Sequence, residues 1–341
     1  MSHIRPIVIS AICAATSLFA APPVHAVQRT HVSAAFGNDA NTASNCTAAA
    51  PCRFFQAAMT VTDENGEVVV LDSGGYGAVT ITKSLALIAP TGVYAGISVF
   101  PGANGVNIAT PGVSVVLRGL TINGQGGNFG ISMTAGNNLS VESCVISNLS
   151  QGGIDVSGVT NVYITDTLVH RNTNNGIVLR NGVSGTIVRT RASAHNGDAG
   201  IRIEGSADST TTTADIADST LAGNRDGVNA LAYAFGGTAV VKVSIRDSRV
   251  VQNRRYGIGT ESNFASVVSV SASNNIVSNN SLGIVALNAR VRVFASGNTV
   301  SDNSGSGLFN GNGGVFESAG NNAVRNNGAI NSGTITTVAT Q

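Results

Sequence analysis

Asn148-Leu-Ser-Gln-Gly-Gly153-Ile154 states a phrase that the chain repeats as Asn172-Thr-Asn-Asn-Gly176-Ile177 and Asn196-Gly-Asp-Ala-Gly200-Ile201. It returns as Asn224-Arg-Asp-Gly227-Val228, Asn253-Arg-Arg-Tyr-Gly257-Ile258, Asn280-Ser-Leu-Gly283-Ile284 and Asn303-Ser-Gly-Ser-Gly307-Leu308. The recurring glycines, from Gly130 to Gly328, are 23, 23, 24, 27, 30, 26, 24 and 21 residues apart. A period in this range marks a solenoid, a propeller or an array. Propeller blades need a longer repeat and usually a Trp, and the chain has none. A Leu-dominated frame is missing too, as are the long paired strands of an outer-membrane barrel.

Within each repeat apolar residues alternate after the glycine, as in Ile154/Val156, Ile177/Leu179 and Ile201/Ile203. One set faces inward and the intervening set faces solvent. A second short strand follows (Val162-Tyr-Ile164, Val243-Ser-Ile245), then a third inward position before the Asn, such as Val169, Leu221 or Val250. Three short strands per repeat make one turn of a parallel β-coil. The fold class is therefore all-β: a single-stranded right-handed parallel β-helix of about eleven coils, roughly 50 Å long at a strand spacing of about 4.8 Å. In this reading the glycine makes the turn, the Ile packs the core, and the Asn side chains form an internal ladder.

Residues 1–26 read as a secretory signal peptide: Arg5, an apolar run to Ala21, and a small-x-Ala cleavage pattern ending at Ala26. The run is too short to span a bilayer, and no later stretch is apolar enough to do so. The expected location is outside the cytoplasm: periplasmic, extracellular or on the cell surface. In that oxidising setting Cys46 and Cys52 read as a disulfide, and Cys144, among apolar neighbours, as a buried free thiol. Residues 27–66 read as an irregular lead-in plus a capping helix over Cys52–Thr60, with Phe54, Phe55, Ala58 and Met59 on one side. The β-helix then occupies 67–341. The helix is expected to cover the open end of the strand array.

Without Arg5 the chain carries 18 Lys+Arg (19 − 1) against 18 Asp+Glu, so its net charge is zero. With only 11% charged residues, it does not suit phosphate-driven binding of nucleic acid or electrostatic binding to membranes. Disorder is excluded by 43% hydrophobic residues. No feature of the sequence sets an oligomeric state.

The Asn-x₃-Gly-Ile-x-Val phrase resembles the right-handed parallel β-helix repeat of the pectin-lyase-like superfamily. The N-terminal part is similar to a set of secreted bacterial β-helix proteins with no assigned activity: the Cys pair ending at Pro51-Cys52, the short helix, Gly74-Gly75-Tyr76-Gly77 and Val79-Thr-Ile-Thr-Lys-Ser84. The resemblance covers nearly the whole chain after residue 26. It implies the fold and leaves activity open, because lyases, hydrolases, epimerases, adhesins and phage spikes share it.

The Gly-His-Gly and Arg-Ile-Lys motifs of polygalacturonase-like hydrolases do not occur in the sequence, nor does the Asp-Pro-His-Glu motif of alginate-epimerase-like enzymes. A pectate-lyase-like site needs an acidic cluster to hold Ca²⁺ and an Arg or Lys base beside it. One acidic column stands six residues before the ladder Asn: Glu142, Asp166, Thr190, Asp218 and Asp247. Asp166, Asp218 and Asp247 are the candidate metal ligands, against the favoured reading as turn residues paired with nearby arginines.

The outward positions of the strand after the glycine form two stacks. One holds Ser132, Asp155, Val178, Arg202, Asn229 and Gly259; the other holds Thr134, Ser157, Arg180, Glu204, Leu231 and Glu261. Asp155, Arg180, Arg202, Glu204 and Glu261 converge over a few coils. Three adjacent repeats lengthen just beyond, through Ser206–Thr213, Ala232–Thr238 and Asn263–Ser266, which raises one wall of a groove. Tyr233, Phe235 and Phe264 in these loops suit stacking on sugars; the plainer alternative is a solvated salt-bridge patch with the rings tucked back. His170 and His195 precede their Asn in different registers and lack a third ligand, so no metal site is assigned to them.

Two functions follow as expectations. The chain binds or presents a surface to an extended polymer, in the first instance polysaccharide, without chemistry. Alternatively it is a lyase of acidic glycans with Arg180 or Arg202 as base and a Ca²⁺ held by Asp155 and Glu204. A purely structural or cell-surface role is a third.

Overall fold

The computed structural model describes residues 27–339; the signal peptide read over 1–26 lies outside the described residues. Three parallel sheets run the length of a β-solenoid, each coil giving one strand to each sheet. Sheet I has eleven strands and holds those that follow the recurring glycine, such as Gly152–Ser157, Ala199–Gly205 and Asp226–Ala232. Sheet II has thirteen strands, including Asn161–Thr165 and Val240–Arg246, and sheet III eleven short ones such as Leu168–His170. Ile154, Ile177, Ile201, Val228, Ile258 and Ile284 stack in consecutive register and are fully buried, which is the core the period-two pattern requires.

The interior holds two polar ladders. In the first, each side-chain oxygen accepts the backbone N–H of the residue one coil earlier: Asn224 to Asn253, Asn253 to Asn280, Asn280 to Asn303 and Asn303 to Asn327, at 2.9–3.0 Å. The amide nitrogens of Asn253 and Asn280 also donate to the next side-chain oxygen. Two members differ from expectation. Leu149 and His195 occupy the ladder positions, and Asn148 and Asn196 stand one residue to either side. The second ladder, not anticipated, lies at the turn between sheets II and III: Cys144 N–H donates to Thr167, and an unbroken run continues from Thr190 through Ser219, Ser248, Asn275 and Asn298 to Asn322. It went unread because Ser and Thr take the place of Asn in its first half.

The repeating glycines serve close packing rather than the turn. At Gly227 an added Cβ would collide with Val250, the Gly257 carbonyl and the Asn253 amide, so only glycine leaves room for the ladder. The left-handed turn residues stand elsewhere, just before each ladder position: Asp166, Arg189, Asp218 and Asp247 for one ladder, Arg171 and Gln252 for the other.

The N-terminal end departs from expectation in two places. Arg29–Val32 is a strand paired with Glu67–Val70, so sheet II begins inside the stretch read as irregular. The helix spans Phe55–Val61, starting after Cys52, because Cys52 is held extended against His31 and Ser33 and bonded to Cys46. The Asp39 carboxylate fixes the segment leading into the helix by accepting the backbone N–H groups of Arg53 and Phe54. Phe55, Ala58 and Met59 are buried and Phe55 packs on Tyr76, while Phe54 is exposed under the Arg53 guanidinium. Cys144 is the buried free thiol expected, and burial pushes it up to about 11, so it is not a nucleophile at neutral pH.

Candidate functional site

The outer side of sheet I is unusual for a solvent face. Asp155, Val178, Glu204 and Asn229 point away from the core yet are nearly fully buried, because the outward side chains pack on one another. Both outward stacks pair in the register expected from the sequence. Arg180 forms an ion pair with Asp155. Arg202 lies between Asp198 and Glu204, at 2.5 and 2.7 Å. The Tyr233 hydroxyl donates to the other Glu204 oxygen.

These contacts set the protonation states. Burial works against the Arg202 charge, but Glu204 and Asp198 outweigh it and raise its pKa further above the usual arginine range. Burial alone would raise Glu204, but the Tyr233 hydroxyl and the Arg202 charge hold its carboxyl below the usual range. Arg202 is thus a fixed cation rather than a base. Sequence reading missed Asp226 and Arg255, whose ion pair continues the network: Asp226 is fully buried and also accepts the Tyr256 backbone N–H and the Asn229 amide. Asp198 and Asp226 stand just before their glycines, whereas outward positions had been counted only after them.

At the far end of these strands the three lengthened repeats join into one wall. Part of the extra length goes into strands of seven residues, such as Thr211–Ala217, which takes in residues expected to be loop. The remaining loops are tied to one another: Ser209 N–H donates to the Thr238 carbonyl, Asn263 N–H to Ala232, and the Ser266 hydroxyl accepts from Ala234 and Ala239. Out of this wall stand Phe235, 87% exposed, and Phe264, 60% exposed, in edge contact with centroids 5.4 Å apart. Phe264 has φ 58°, the left-handed region where a bulky side chain is an outlier. The rings are not tucked back. Phe264 borders a recess of about 470 Å³ that is also lined by Arg202, Leu231, Tyr233, Glu261 and Asn263.

The acidic column falls at the turn between sheets II and III. Asp166, Arg189, Asp218 and Asp247 are its left-handed residues, whereas Glu142 ends a strand and Thr190 belongs to the interior ladder. Asp166 pairs with Arg189 at 2.8 Å, and Arg246 lies 3.5 Å from Asp247. Among the described residues no three of His, Cys, Asp or Glu converge as a metal set, and Asp155 and Glu204 already face arginines. These carboxylates do not fit a Ca²⁺ site. His195 is buried in the ladder; burial pushes its pKa down to about 4.

Comparison with known proteins agrees on the architecture. A family model described as the right handed beta helix region matches residues 104–269. Among curated protein sequences none matches this chain. Solved structures of similar shape include XylC in complex with xylose (10% identity, 83% of this chain and 69% of that one, TM-score 0.50). Pectate lyase Pel9A is another (15% identity, 89% and 80%, TM-score 0.49). The A-module of the Azotobacter vinelandii mannuronan C-5 epimerase AlgE4 is a third (13% identity, 81% and 91%, TM-score 0.48). At 10% identity the likeness to XylC is one of fold. The chain is a right-handed parallel β-helix protein.

Proposed function

We propose that this β-helix is exported and binds an extended polysaccharide across the recess beside Phe235 and Phe264, without cleaving it. The observation that supports this most is Phe264 itself. A ring 60% exposed gains little from burial, and its left-handed backbone costs about 1–2 kcal/mol, so the fold alone gives no reason to keep it. Paired with Phe235, it offers apolar faces of the kind that stack on sugar rings. Tyr233, Asn263 and Glu261 supply hydrogen-bonding groups around the same recess. The Cys46–Cys52 disulfide supports an oxidising location. Among the described residues no helix is long and apolar enough to cross a membrane.

The lyase alternative is disfavoured because both candidate bases are engaged. Arg202 sits between two carboxylates and Arg180 against a third, and neither is free to take a proton from a sugar carbon. A glycan array probed with the purified protein should show binding that weakens in Phe235→Ala. Release of unsaturated uronide from pectate or alginate, lost in Arg180→Ala or Arg202→Ala, would overturn the non-catalytic reading. Binding to no glycan, with no product, would leave a structural role.

A further inference from the structure

The charge arrangement around the recess points to a narrower class of ligand, an inference that rests on the binding reading above. Of the lining residues, only Arg202 and Glu261 carry charge. Arg202 already faces Asp198 and Glu204, and with the Asp155–Arg180 and Asp226–Arg255 pairs and Glu261 the network holds five carboxylates against three guanidiniums. Glu204 is satisfied by Arg202 and Tyr233. Glu261 is not: among the described residues no cation approaches it within 4.0 Å, and its side-chain partner is the Asn263 amide at a weak 3.4 Å. It stands in the second outward stack of sheet I, between Leu231 and Leu287, with apolar neighbours on both sides.

An uronate placed here would bring a further anion to a site already in negative excess. A neutral sugar would leave the Glu261 charge unmatched. A protonated amine would do two things at once: give Glu261 a charge-assisted hydrogen bond and meet the electron-rich faces of Tyr233 and Phe264. We infer that the recess recognises a polymer of free amino sugars, a glucosamine-type polycation, rather than the acidic or neutral glycans.

Calorimetric titration of the purified protein with three hexasaccharides tests this at low ionic strength and at a pH where the amines are protonated. The three are glucosamine, N-acetylglucosamine and galacturonate oligomers. The expected order places glucosamine about tenfold or more tighter than N-acetylglucosamine, with galacturonate weakest. Glu261→Gln should remove that preference, bringing glucosamine affinity down to that of the N-acetylglucosamine oligomer, with the melting temperature near wild type. Equal or tighter binding of the N-acetylated or the acidic oligomer, or a preference that survives Glu261→Gln, would overturn the amine assignment and leave polysaccharide binding standing. Binding of none of the three, with none on a wider array, would overturn both.

Discussion

His195 stands in the interior ladder where later coils have asparagine, its Nδ1 accepting the backbone N–H of Asn172 at 3.2 Å. The substitution is incomplete. His195 Nε2 and the Asn172 amide nitrogen are both buried without a partner, whereas Asn253 and Asn280 donate to carbonyls one coil back. Burial, with a smaller contribution from His170, lowers the His195 pKa from 6.5 to about 4. The unfolded chain therefore takes up a proton that the folded chain excludes. Stability is at its full value above about pH 6.5 and falls progressively toward pH 4, by up to about 3 kcal/mol. Asn in place of His195 should flatten that slope and raise the melting temperature at about pH 5. Thermal melts across the interval check this; an unchanged slope would assign the pH dependence elsewhere.

The Asn280 side chain makes four ladder contacts. It accepts from the backbone and amide nitrogens of Asn253 and donates to Val250 and Asn303. Asn280→Leu leaves these groups buried and unmatched, at about 1–3 kcal/mol for an unsatisfied group. Urea denaturation should show a loss of about 3 kcal/mol or more. A loss below about 1 kcal/mol would mean the ladder contributes little to stability.

At the N-terminal cap, the Asp72 carboxylate accepts from the Ser33 hydroxyl, the Ala34 and Ala35 backbone N–H groups and the Tyr76 hydroxyl. Burial opposes its charge, but these donors prevail and lower its pKa from 3.8 to about 2. Its contribution is present above pH 4 and lost as pH falls through about 2. Asp72→Asn should cost about 1–2 kcal/mol at neutral pH and remove that acid-side loss. Melts at neutral pH and at about pH 3 distinguish this from a surface residue, which would move neither.

Arg202→Ala removes the cation between Asp198 and Glu204, and breaking a buried pair from one side costs about 3–5 kcal/mol. With its side chain 20% exposed, the lower end of that range is expected. Loss of stability together with loss of binding at Arg202 would thus say nothing about chemistry. Folded Arg202→Ala protein that gains or loses an enzymatic product would.

How far the sequence was legible follows from which residues repeat. Ile154, Ile177 and Ile201 recur because the core stack requires them, so period, coil, sheet register and the outward stacks are all readable. The second ladder changes residue type from Thr167 and Ser219 to Asn275, and hydrogen-bonding equivalence leaves no periodic letter to follow. The strand Arg29–Val32 has no repeat partner in sequence, only a spatial one in Glu67–Val70. On the outer face the register of Asp155, Arg202 and Asn229 was legible, but the pairing of side chains was not. That Arg202 is held by Asp198 depends on the backbone path around Gly200, and the posture of Phe235 against Phe264 depends on two loops 29 residues apart in the chain.

Phe264→Gly separates binding from folding most cleanly. Glycine accepts the left-handed backbone at φ 58° without strain, so the melting temperature should hold or rise, by an amount equivalent to about 1 kcal/mol. Affinity for the bound glycan should fall about tenfold or more, measured by titration calorimetry beside the melts. Undiminished affinity in a folded Phe264→Gly protein would contradict a binding role for the aromatic ridge.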